Sequence, residues 1–180
     1  MKKLLVLGLL FISASVCFSQ EKKMVDPFDL SSSTSKVSEL GVVTKPEVDA
    51  LEMKAKELFN AGEYKSAIPI LIEYSKKANW LANLISATLE PYYGASYDDR
   101  KSYSYAKLKP LIPLESLAND YKRKRNIAIA MQGECLLRIG DKKGAVPVLL
   151  KALDLIDIEN DVWWERTRNN LLKIIKVELK

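Results

Sequence analysis

Residues 50–71 read ALEMKAKELFNAGEYKSAIPIL, and residues 128–149 read AIAMQGECLLRIGDKKGAVPVL. Superposed, the two stretches share Ala50/Ala128, Met53/Met131, Leu58/Leu136, Gly62/Gly140, Lys65/Lys143, Ala67/Ala145, Pro69/Pro147 and Leu71/Leu149. Leu51/Ile129, Ala55/Gly133, Glu63/Asp141, Ile68/Val146 and Ile70/Val148 exchange like for like. In each copy apolar residues recur at spacings of three and four, a glycine interrupts them, and the pattern resumes. That is a helix, a turn and a second helix. A unit written twice predicts stacked helix pairs, because one pair cannot bury its apolar faces alone.

Thr44 opens the first copy with a capping-box pattern: Glu47 stands three residues on, and Pro46 lies in the first turn. The first helix then commits Val48, Leu51, Ala55, Leu58 and Phe59 to one side and stops at Gly62. A second helix is expected from about Tyr64 to Lys77, bent by Pro69. In the later copy a helix through Ala128, Ile129, Leu136 and Ile139 stops at Gly140, and its partner runs from about Lys142 to Ile156. Asn160 or Asp161 can cap a last helix carrying Trp163, Trp164, Leu171 and Leu172. Trp163 follows Ile129 by one repeat length of about 34 residues, so this helix is in register with the first helix of a further repeat and serves as an end cap.

The copies are 78 residues apart, more than two such lengths. Asn79–Leu89 reads as a separate helix, followed by the turn-rich YYGASYDD at 92–99, a helix from Asp98 to about Lys107, and breaks at Pro110 and Pro113. One degenerate helical pair with an enlarged loop is expected to fill the gap.

The small residue at Ala55/Gly133, the glycine turn, and Ala67/Ala145 followed by an aliphatic residue and proline resemble the tetratricopeptide repeat family. The resemblance is good over 50–77 and 127–156, partial over 161–180 and weak over 79–125. It implies an all-α fold of stacked antiparallel helix pairs in a superhelix, with a C-terminal capping helix, over residues 44–180. It also implies a scaffold that takes a protein or peptide in a groove lined by its first helices. Carried onto this chain, the groove residues are Asp49, Glu52, Lys56 and Asn60, then Ala130, Glu134, Leu137 and Arg138. Glu52 and Glu134 depart from the lysine and asparagines with which some members clamp a C-terminal carboxylate, so a partner offering both charge signs fits better.

The first 19 residues, MKKLLVLGLLFISASVCFS, place two lysines before an apolar run and then small residues. This is the layout of a secretory signal peptide, with cleavage expected after Ser19. A lipobox needs a small residue before its cysteine and usually leucine three before it; Val16 and Ala14 stand there, which disfavours lipidation at Cys17. Residues 20–43 are polar, with SSSTS at 31–35, and read as a flexible linker. The expected location is periplasmic or secreted, and no later run nears the roughly 20 apolar residues of a membrane helix.

Composition narrows the chemistry. The formal charge of +5 falls to +3 without Lys2 and Lys3, which is too mild to argue for nucleic acid. Histidine is absent, so no Ser–His or Cys–His pair and no histidine metal ligand can form. Cys135 is the one cysteine after Ser19, so an internal disulfide is excluded, and it is expected to be a packed, inert thiol. No phosphate loop, nucleophile elbow or HExxH occurs, and nothing calls for a cofactor or metal. The basic run Lys122–Arg125 spreads around a helix axis, and the tyrosines at 92, 93, 97, 103 and 105 divide between packing and recognition. The leading expectation is an exported adaptor, not an enzyme. An accessory subunit of an envelope enzyme or transport complex comes next, and a small carboxylate-based helical enzyme last.

Overall fold

The computed structural model describes residues 30–92, 94–158 and 162–177. The signal-peptide reading, the first ten residues of the expected linker and the cap at Asn160 or Asp161 lie outside them. The described residues form eight helices and no strand: α1 Ser31–Leu40, α2 Lys45–Asn60, α3 Tyr64–Ala87, α4 Tyr97–Ser102, α5 Tyr105–Leu108, α6 Ile112–Arg138, α7 Lys142–Leu155 and α8 Val162–Ile174.

The two copies fold as two hairpins, α2 on α3 and α6 on α7, stacked through α3 and α6, with α8 closing the far end against α7 and α6. Local chemistry accounts for the turns. Gly62 and Gly140 take φ of 78° and 88°, the left-handed region that a glycine enters without a Cβ penalty. At the start of α2 the Thr44 N–H donates to Glu47 Oε2 at 3.4 Å, and the Asp141 carboxylate accepts from the Gly144 N–H at 2.9 Å to cap α7.

The small residues of the repeat lie where helices approach most closely. Ala55, Ala67 and Ala145 are fully buried. A Cβ on Gly133 would come within 2.7 Å of Leu149 Cδ2, so the α6–α7 contact needs glycine or a shift of Leu149. Around these contacts Val48, Phe59, Leu71, Tyr74, Tyr121, Met131 and Cys135 form one core, and Ala130, Ala152 and Ile156 form a smaller one beneath α8.

Two regions differ from expectation. The gap between the copies holds no additional stacked pair. Instead α3 continues unbroken to Ala87, absorbing most of the separate helix expected at 79–89, α6 begins early at Ile112 with Pro113 in its first turn, and the two pack on each other directly. Leu81, Ala82, Ala118 and Tyr121 are buried on the added lengths, so pairing these extensions satisfies their apolar faces without a further layer. The remaining residues form the short helices α4 and α5.

The linker also differs. Ser31–Leu40 is helical, ended by Gly41 at φ 72°. Leu40 packs on the core, Val43 is buried, and Glu39 pairs with Lys76 of α3 at 3.1 Å. The serine-rich turn has no apolar periodicity to announce it; contacts from its C-terminal end hold it. Finally, Met53 and Met131 align in sequence yet part in space, since Met53 is exposed and Met131 is buried. The later copy has neighbours on both sides, whereas the first ends the stack.

Candidate functional site: the polar face of α2, α6 and α8

The residues expected to line a groove fall into two clusters. In the first, Asp49 and Glu52 of α2 face α6. Asp49 Oδ1 accepts from the Tyr121 hydroxyl at 2.7 Å, and its Oδ2 pairs with Lys45 at 2.6 Å. Glu52 pairs with Lys56 at 2.5 Å and with Lys124 at 3.0 Å, and Lys124 also reaches Asp120 at 3.4 Å. Burial works to raise both carboxyl pKa values. Lys45 and the Tyr121 hydroxyl at Asp49, and Lys56 and Lys124 at Glu52, outweigh it and hold both below the ordinary value. Burial likewise disfavours the Lys124 ammonium, yet Glu52 overcomes this and raises its pKa. Burial and Glu52 together raise the Tyr74 hydroxyl. The cluster is therefore a network of fixed charges tying α2 to α6.

The second cluster centres on Glu134, whose side chain is 2% exposed. Arg166 of α8 donates to it twice, from Nε at 2.5 Å and from Nη2 at 2.8 Å, the two-pronged geometry suited to a carboxylate. Asn170 Nδ2 donates at 3.2 Å and Arg138 at 3.3 Å. Burial pushes the Glu134 pKa up, but Arg166 and then Asn170 and Arg138 hold it below the ordinary value. The same guanidinium lies 5.3 Å from the Phe59 ring centre and 4.8 Å from that of Trp163, and these two rings meet edge-on at 6.0 Å. One arginine thus joins α2, α6 and α8.

Beside it, along the α6–α8 seam, opens a cleft of about 310 Å³. Glu134, Arg166 and Asn170 line its inner part, and Arg138, Glu165, Asn169 and Lys173 also border it.

The six expected contact residues are therefore not equivalent. Lys56, Asn60 and Arg138 are exposed, Asp49 and Glu52 are half-buried in ion pairs, and Glu134 is buried with its oxygens engaged. Of the other two groove positions, Ala130 is buried and Leu137 half-buried. Glu134 lies on α6 between two core residues, Gly133 and Cys135, and an acid so placed calls for a cation within reach. The repeat register offers one: Arg166 occupies in α8 the place of Gln132 in α6. The register that aligns Trp163 with Ile129 extends equally to Arg166, Asn169, Asn170 and Lys173, none of which stands among the residues expected to line the groove.

The basic run disperses as its helical spacing requires. Arg123 is exposed, Lys124 joins the Glu52 network, and Arg125 donates to Asn79 Oδ1 at 2.5 Å and to Asn126 Oδ1 at 2.9 Å. Cys135 is fully buried, and burial pushes its thiol pKa up to about 12, which leaves no thiolate for chemistry near neutrality. No protein-family model matches the chain, and neither a curated protein nor a solved structure matches it.

Proposed function

We propose that the chain is an exported helical-repeat adaptor of the tetratricopeptide type, holding a segment of another protein or a peptide on the polar face of α2, α6 and α8 in the cell envelope. The observation that carries this reading is the α6–α8 cleft. Its exposed Arg138 and Glu165, together with Asn169 and Lys173, present both charge signs and amide groups around a wall already neutralised by Glu134, Arg166 and Asn170. Polar groups held in place by other polar groups lose little freedom on binding, which favours recognition of a polar backbone or side chains. Support also comes from the two hairpins, with positive-φ glycines at equivalent turns and small residues at equivalent close contacts.

In this reading the residues divide their roles. Lys56, Asn60 and Arg138 touch the ligand, joined by Asn169 and Lys173. Asp49, Glu52 and Glu134 orient the cations around them. The activity is binding, and the partner is a protein or peptide rather than a nucleic acid.

The test is capture of envelope proteins by the domain carrying Lys56→Glu and Arg138→Glu together. Reversal of both charges should weaken capture, and the loss should be largest at low salt, where attraction is least screened. The control is Lys122→Glu with Arg123→Glu, which should matter less. If the control pair abolishes capture and the groove pair leaves it intact, the site assignment is wrong.

A further inference from the structure

The lengthened parts of α3 and α6 run past the rest of the stack. Lys77 of α3 pairs with Glu47, near the first residue of α2, and Asn126 of α6 donates to the carbonyl of Leu155, the last residue of α7. Beyond these levels α3 continues to Ala87 and α6 begins as far back as Ile112. The α2–α3 and α6–α7 hairpins therefore end while α3 and α6 go on together, and the α4–α5 segment joins their outer ends.

Neither α4 nor α5 buries a residue, and neither packs on another helix beyond isolated contacts. The segment is nonetheless rich in large side chains. Tyr97 is 72% and Tyr105 70% exposed, and Ile112 at the start of α6 is 52% exposed. Tyr92 and Tyr103 meet edge-on at 5.9 Å, and the Arg100 guanidinium lies 5.6 Å from the Tyr92 ring centre, so the segment is braced against itself. Lys101 stands 4.2 Å over the Tyr97 ring. Residues 97–109 carry Arg100, Lys101, Lys107 and Lys109 against Asp98 and Asp99, and the Asp99 carboxylate accepts from the Ser96 hydroxyl at 2.7 Å within the turn.

From this placement we propose that the α4–α5 tip is a docking surface for an anionic lipid bilayer, seated through Tyr97, Tyr105 and Ile112 with Lys101, Lys107 and Lys109 at headgroup level. Exposed tyrosine with lysine is the combination that suits a bilayer interface, where the ring spans the apolar boundary and the ammonium meets lipid phosphate. Protein interfaces also favour tyrosine but are depleted in lysine, so the composition of this tip favours lipid over an acidic protein. The tip lies at the end of an extension, so it can meet a flat surface while the polar face of α2, α6 and α8 stays open. This inference does not depend on what that face binds.

The experiment is co-sedimentation of the chain from Gln20 to Lys180, which keeps every described residue, with vesicles of phosphatidylcholine alone or mixed with phosphatidylglycerol. The expected result is pelleting with the anionic vesicles that weakens as salt is added. The triple change Lys101→Gln, Lys107→Gln and Lys109→Gln should lower partitioning at least roughly tenfold. Tyr97→Ser with Tyr105→Ser should lower it independently of salt. All these residues are exposed, and circular dichroism identifies any variant that loses helix, in which case the other set carries the test. Failure of the parent chain to pellet with anionic vesicles overturns the proposal, as does pelleting of both variant sets like the parent. Equal binding to soluble polyglutamate, indifferent to the tyrosine changes, also overturns it, because it marks a site for acidic chains rather than a bilayer.

Discussion

A carboxylate at the position of Glu134 is stripped of water, and its ionised form persists there because Arg166, Asn170 and Arg138 replace the lost hydration. Replacing Arg166 by methionine keeps most of the packing on Phe59 and Trp163 but removes the two-pronged donor. This should cost about 1–3 kcal/mol, less than breaking a fully buried pair, since the Arg166 side chain is half exposed and Arg138 and Asn170 remain. Urea denaturation at neutral pH measures it, and a change within error would mean the pair contributes nothing. The folded-state pKa of Glu134 lies below 4.5, its ordinary value. Its stabilising contribution is therefore complete above that pH and is lost as pH falls below it through the folded-state value. Glu134→Gln should be less stable than the parent at neutral pH, and the difference should shrink as the solution is acidified below pH 4.5. A difference that stays constant down the pH scale would contradict the assignment.

Between elements, the decisive quantity is how closely two helices approach. Ala67 and Ala145 are fully buried, and at Gly133 even a methyl group would press on Leu149. Ala67→Trp and Ala145→Trp should each destabilise the fold by about 1–3 kcal/mol or more through overpacking, and Gly133→Leu should fall in the same range. Thermal melts of the three variants provide the check, and unchanged midpoints would remove the close-contact account of the stack. α8 has a different basis. Among the described residues no second helix pairs with it as α3 pairs with α2, and it is held by Trp163 and Trp164 on the small core and by Arg166 on Glu134.

Over the whole molecule, the described chain is a stack of two helix hairpins and a closing helix, with an extension of two helices that carries an aromatic and basic tip. Charge is arranged to match. The ion pairs of Asp49, Glu52 and Lys124 tie the first hairpin to the second, and those of Glu134 tie the second to α8. The proposed location in the envelope rests on residues ahead of this stack, and it makes a direct prediction: mass spectrometry of the protein purified from an envelope fraction should find a chain beginning at Gln20. A chain that keeps Met1, or one that carries lipid on Cys17, would refute cleavage after Ser19.

The helical class, the two hairpins, their glycine turns and the small residues at their contacts were legible in the chain because each depends on local periodicity. Spacings of three and four, a glycine where φ must be positive and an alanine where helices touch are properties of neighbours in sequence. Tertiary structure alone decided three other features. α3 and α6 pack directly through buried Leu81, Ala82, Ala118 and Tyr121, where an intervening pair was expected. Ser31–Leu40 is helical, although nothing in its serine-rich composition marks it. Glu134 turns inward, because the cation that neutralises it, Arg166, lies on another helix far along the chain. A carboxylate is free to face solvent or core until its partner is placed, and only the packing of α8 on α6 places it.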